Sequence, residues 1–200
     1  MITVILIFSA YLLGSISFAV VASWLFKLPD PRSYGSGNPG ATNVLRTGKK
    51  AAAAVTLLGD AGKGWVAVVV AKYLGNVLGL GDEVIASAAL AVFLGHLFPI
   101  FLAFKGGKGV ATSAGILLGL NLWLGILAIL TWIIVALVSR ISSLSALLSA
   151  LLAPLYTYFL LQKEMLTITV LIISILLILK HQSNIANLIA GKETRIGKSS

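Results

Sequence analysis

Residues 2–26 (ITVILIFSAYLLGSISFAVVASWLF) run without a single charged side chain. At 1.5 Å per residue, a helix of that length exceeds the ~30 Å hydrocarbon core of a bilayer. No basic segment precedes the run and no small-residue cleavage site ends it, so it reads as a retained helix and not as a signal peptide. Similar apolar stretches follow at residues 63–80, 84–104, 110–139, 144–161 and 165–180, separated by short polar or basic loops.

Composition agrees. The chain is 58% hydrophobic and 10% charged, with a mean hydropathy of +1.03, whereas a soluble domain carries about 25% charged residues. A chain of 200 residues cannot hide so much apolar surface within itself, so the lipid bilayer is its expected partner. There is no cysteine, and two histidines and six acidic residues make a dedicated metal cage unexpected; neither metal nor cofactor is expected. The net charge of +9 fits cytoplasmic loops and anion sites. Nucleic acid is not an expected partner, because no soluble basic domain is present.

Residues 41–59 read as a short interfacial or partly buried helix, interrupted by Asp60 and Lys63. Residues 110–139 could be one long tilted helix or two short ones. Lys105 and Lys108 precede them and Arg140 follows. If all three are cytoplasmic, the chain crosses twice, and Gly115, Gly119, Asn121 and Gly125 offer places to turn. The expected fold is an all-α, polytopic integral membrane bundle forming one domain over residues 1–200. It has seven transmembrane helices, the N-terminus outside and the C-terminus cytoplasmic. This topology puts 13 of the 15 Lys and Arg on one side, leaving Lys72 and Lys163 elsewhere. The Gly75–Gly79 and Gly115–Gly119 spacings would permit close helix approach.

The polar residues then collect on one face in three clusters: Ser36 to Arg46, His96 with Lys105 to Gly109, and His181 with Asn184, Gly191 and Glu193. Ser142 and Ser143 beside Arg140 make a smaller fourth. Glycine lets backbone N–H groups curl around an anion. Asn and Ser add short-range donors, Arg a planar fork for phosphate oxygens, and Lys a point charge. Glycine loops with Arg46, Lys105 and Lys108 therefore suit one or two phosphates. The G-x-x-x-x-G-K-S/T pattern of nucleotide hydrolases is absent. So are a His-x-x-x-x-Asp dyad and a GxSxG nucleophile elbow. Taken one at a time, Lys105, Lys108 and Arg140 read first as topology anchors, His96 as a packed or capping side chain and His181 as an interface residue at a helix end; the functional reading rests on all the clusters falling on one side.

Three stretches, SGNPGATNVLR (36–46), GHLFPIFLAFKGGKGVAT (95–112) and HQSNIANLIAGKE (181–193), occur in an order and spacing that resemble the bacterial acyl-phosphate:glycerol-3-phosphate acyltransferase family, the PlsY type. The resemblance covers essentially the whole chain. One departure is Asn187, where family members often carry Arg or Lys. The resemblance implies transfer of a fatty acyl group from acyl phosphate to the 1-hydroxyl of glycerol 3-phosphate, releasing inorganic phosphate. Neither acyl-CoA nor acyl carrier protein would be the donor. On this reading, His181, Asn184, Lys105 and Arg46 are the expected catalytic residues. Ser36, Gly37, Asn38, Gly40, Ala41, Thr42, Asn43, His96, Gly106, Gly107, Lys108, Gly109, Ser142 and Ser143 are the expected substrate-binding residues. His181 is the expected general base, with a substrate phosphate oxygen as the other candidate. A monomer in the bacterial inner membrane is expected, its site on the cytoplasmic face. The competing reading is a transporter of a phosphorylated anion.

Overall fold

The computed structural model describes residues 1–196, and every regular element in that range is helical. The helices are α1 (Ile2–Ser15), α2 (Phe18–Leu25), α3 (Ala41–Leu45), α4 (Lys50–Leu78), α5 (Asp82–Leu97), α6 (Val110–Leu120), α7 (Leu122–Ser139), α8 (Ser142–Leu161), α9 (Glu164–Lys180) and α10 (Gln182–Ile189), with a 3-10 turn at Ile100–Leu102. Helices α4, α5, α7 and α8 are each long and apolar enough to cross a membrane. The pairs α1–α2, bent by 44°, and α9–α10, bent by 61°, bring the candidates to six. Helix α6 is an eleven-residue apolar helix that rises only about 16 Å. The expected count of seven would require the short α6 to cross as well.

One expectation needs correction and one open alternative is decided. There is no separate helix over residues 41–59: α3 stops at Leu45, and α4 starts at Lys50 and continues unbroken through Asp60 and Lys63. Those charges do not end the helix because they lie three apart on one face and pair with each other, Lys63 Nζ 2.8 Å from Asp60 Oδ1, both side chains buried. Lys63 is therefore a buried helix residue and not one of the loop cations of the charge asymmetry. The break within 110–139 falls at Asn121 alone, whose side chain accepts the N–H groups of Trp123 and Leu124 and so starts α7. Gly115 and Gly119 serve packing: a side chain on Gly115 would overlap the Ala61 carbonyl, and one on Gly119 would crowd Val68 and the Trp65 carbonyl. They let α6 lie against α4 with minimal separation.

The same device joins α1 to α5, where Gly14 meets the Val92 backbone and Gly95 the Tyr11 carbonyl. Helix α5 is the centre of the bundle, packed on α1, α4 and α9 and burying Val92, Phe93 and Leu97 fully. A second small core (Ala19, Ala22, Val44, Ala52, Ala53) sits between α2, α3 and the start of α4. Loops 26–49, 98–109, 140–141 and the 181–196 segment meet at that end. At the other, Lys163 pairs with Asp82 at 2.8 Å.

Candidate active site

The first polar loop is closed by one buried side chain. Asn43 accepts the Ser36 N–H (2.9 Å) and donates to the Pro31 (2.7 Å) and Tyr34 (3.2 Å) carbonyls. The turns it spans need left-handed backbone at Gly35 (φ 57°) and Gly37 (φ 67°), which glycine adopts without penalty. Asn43 thus acts as the staple of the loop. Glycine at 35 also leaves room for Arg46, whose Cδ and Nη1 would lie 3.2 Å from a Cβ there. Gly40, whose N–H donates to the Asn38 carbonyl at 2.9 Å, caps α3, which opens with Ala41 and Thr42. Thr42 Oγ1 lies 3.3 Å from Ser142 Oγ, joining the first loop to the start of α8.

The second loop hangs from the end of α5. The Gly107 N–H donates to the His96 carbonyl at 3.1 Å. Gly106 lies against the His96 and Leu97 carbonyls and Pro99, and Gly107 against His96 Nε2, so neither position has room for a Cβ. Gly109, at φ 89°, turns the chain into α6. The two lysines of this loop have different surroundings. Lys105 is exposed and, with Gly106, lines an open cavity of about 530 Å³ shared with Asp30, Arg32, Ser33, Gly37 and Pro39. Lys108 reaches the third cluster, donating to Asn184 Oδ1.

From Asn184 a polar chain continues. Its Nδ2 donates to Glu193 Oε1 at 2.6 Å, and Ser143 Oγ donates to the same oxygen at 2.7 Å. Burial holds the Lys108 ammonium below the ordinary lysine range; Glu193 opposes that shift and Arg46 adds to it. Arg46, Lys108 and Glu193 therefore share one field in which cations outnumber the acid, suited to a phosphate dianion. His181 is buried, with Nδ1 2.8 Å from the Leu177 carbonyl. That carbonyl can only accept, so Nδ1 carries the proton and Nε2 is left as the basic nitrogen.

Most of the expected residues are thus brought to one end of the bundle: Arg46, Thr42, Lys108, Ser142, Ser143, His181 and Asn184 around one centre, Gly37, Lys105 and Gly106 around the adjoining cavity. His96 lies beneath the loop, its Nδ1 3.6 Å from Asp60 Oδ1. Asn187 is exposed, and among the described residues its side chain makes no hydrogen bond; its carbonyl accepts from the Lys192 N–H. Sequence reading missed the joint role of Glu193, which ties Ser143 to Asn184. A lone acid following three cationic clusters was the available signal.

Comparison with known proteins gives the same answer. A family model described as glycerol-3-phosphate acyltransferase matches residues 4–191. Among proteins carrying that name, one from Nitrosomonas europaea is 86% identical over 200 residues, all of both chains. Another, from Nitrosospira multiformis, is 65% identical over 98% of this chain and 96% of its own. The crystal structure of PlsY (YgiH), an integral membrane glycerol 3-phosphate acyltransferase, in its glycerol 3-phosphate form superposes with a TM-score of 0.91 at 34% identity, covering 98% of this chain and 96% of that one. Its lysophosphatidic acid form superposes at 0.90 and 33%. With a matching family model over nearly its whole length, close relatives and a shared all-helical membrane fold, the chain belongs to the glycerol-3-phosphate acyltransferase family.

Proposed function

We propose that this membrane acyltransferase uses acyl phosphate as donor and the 1-hydroxyl of glycerol 3-phosphate as acceptor. The hydroxyl oxygen attacks the acyl carbonyl carbon, the bond from that carbon to the phosphate oxygen breaks, and the products are 1-acylglycerol 3-phosphate and inorganic phosphate. The observation that carries this reading is the convergence of Lys108, Arg46, Asn184, Glu193 and Ser143 from distant parts of the chain. It is a small centre with two cations, matched to substrates that are both phosphates. A relative solved in glycerol 3-phosphate and lysophosphatidic acid forms supports the same acceptor and product here.

The mixed anhydride is already activated, so catalysis reduces to positioning and charge stabilisation. Arg46, Lys105 and Lys108 neutralise phosphate oxygens, and the glycine loops around Gly37 and Gly107 let backbone N–H groups approach them. Asn184 orients the acceptor or the developing oxyanion. The hydroxyl proton goes to His181 Nε2 or to a substrate phosphate oxygen. The residues form one catalytic unit acting as a monomer, without acyl-CoA or acyl carrier protein as direct donor. The site-bearing end faces the cytoplasm in the bacterial inner membrane. Seven crossings, with α6 and α7 as a pair turning at Asn121, keep Lys108 and Arg140 on that side.

The test is phosphate release by purified protein in lipid, supplied with acyl phosphate and varied glycerol 3-phosphate. Release that depends on both, with stoichiometric 1-acyl product, is expected. Product formed from acyl-CoA but not from acyl phosphate overturns the donor; flux of glycerol 3-phosphate across sealed vesicles without acyl transfer would revive the transporter reading.

A further inference from the structure

The layer beneath the second loop holds a buried charge cluster to which the proposed reaction assigns no role, and it includes His96, the expected substrate-binding histidine, which lies under the loop. Asp60, Lys63 and His96 are 2%, 3% and 7% exposed. Lys63 Nζ lies 2.8 Å from Asp60 Oδ1 and donates to the Ile16 carbonyl at 2.6 Å. Ile16 sits at the bend between α1 and α2, where helix breakage frees carbonyls that would otherwise be orphaned in an apolar interior. Asp60 Oδ1 also faces His96 Nδ1 at 3.6 Å, and among the described residues it accepts no well-aligned hydrogen bond. The opposite edge of the same imidazole, Nε2, is the surface against which Gly107 packs, while the His96 carbonyl holds the Gly107 N–H.

Charges in membrane-spanning helices are costly and are retained where they do something. A buried ion pair is seldom retained for stability, since well-packed apolar side chains do as well or better. The pair here is neutral as a unit, and its members touch parts of the chain 47 and 36 residues away: Ile16 from Lys63, and His96 from Asp60.

We propose that Asp60, Lys63 and His96 form a positioning network that fixes the Lys105–Gly109 loop relative to the α1–α2 bend. Asp60 orients the imidazole, the imidazole edge and the His96 carbonyl set the height of Gly107, and Lys63 anchors the network to the helix break. None of the three touches the reacting atoms. This rests on the reading that the loop binds a substrate phosphate.

The test compares wild type with Asp60→Asn/Lys63→Met, which removes both charges together and avoids leaving one unpaired, and with Asp60→Glu. Folding is checked by thermal unfolding in detergent. In the folded double variant, amide exchange of the Gly106–Gly109 segment should rise about tenfold while α7 and α8 peptides keep their rates. The KM for a phosphate substrate should rise about tenfold with kcat within about threefold, and Asp60→Glu should recover much of the loss. Unchanged loop exchange in a folded double variant overturns the proposal. Faster exchange with an unaltered KM overturns it too, and Lys108→Met separates the causes. A normal KM in Lys108→Met places the failure with the phosphate reading of the loop; a raised one places it with the network.

Discussion

Replacing Gly107 with alanine perturbs the site through one methyl group. Gly107 is buried, and its added Cβ would overlap His96 Nε2 and come within 3.2 Å of the Pro39 carbonyl. His96 is packed at 7% exposure with Asp60 on its other side, so it has little freedom to retreat. The loop must give way instead, by roughly 1 Å to restore ordinary carbon–nitrogen contact, and overpacking of this kind costs about 1–3 kcal/mol. A displacement near 1 Å at a positioned group costs on the order of 10²-fold in rate, or about 2.7 kcal/mol of transition-state stabilisation. Initial rates of phosphate release over a range of glycerol 3-phosphate concentrations measure it, with Gly62→Ala as control. Gly62 lies within α4 and a Cβ there meets nothing within 4 Å, so its alanine variant should be fully active and as stable as wild type or slightly more so. A Gly107→Ala enzyme within about threefold of wild type would refute the idea that the loop's height over His96 governs catalysis.

Other predictions concern charge and packing. Because burial lowers Lys108 below the ordinary lysine range, it loses its proton at a pH where an exposed lysine stays charged. Phosphate binding needs the charged form, so KM should rise as pH climbs through that lowered value, and Lys108→Arg, charged throughout, should remove the rise even if its basal KM is altered. A KM that stays flat to the ordinary lysine range would contradict this. Gly95→Leu should unfold the bundle or lower its Tm strongly, because the new side chain would drive α5 off the Tyr11–Ser15 stretch of α1; a wild-type melting curve would show that the two helices are not packed so closely. Lys163→Ala breaks the half-exposed Asp82 pair at the far end, and should cost no more than about 1 kcal/mol with activity intact; a large loss of activity would mean that the far end takes part in catalysis.

Much of the architecture was legible because hydropathy and charge are local signals. A turn within residues 110–139 was legible as an option from the basic residues that flank them, but Gly115, Gly119, Asn121 and Gly125 were all candidates for it, and the Asn121 side chain that caps α7 is seen only in three dimensions. Helix α4 was misread for the converse reason. Asp60 and Lys63 look like an interruption when set beside their chain neighbours, and become tolerable only through Ile16 and His96, which are distant in sequence. The division of labour between Lys105 and Lys108 was hidden in the same way. The two are three residues apart and chemically alike, yet one lines the Asp30–Arg32 cavity and the other meets Asn184. Glycines gave mixed information: those of the polar loops announced tight backbone, whereas Gly14 and Gly95 revealed their role only once α1 and α5 were seen in contact.

A structure determined with glycerol 3-phosphate bound decides whether one cationic centre holds substrate phosphate. The phosphate is expected within hydrogen-bond reach of Lys108 Nζ or the Arg46 guanidinium, with the 1-hydroxyl on the side of Asn184 and His181. Phosphate density that contacts neither cation would contradict it.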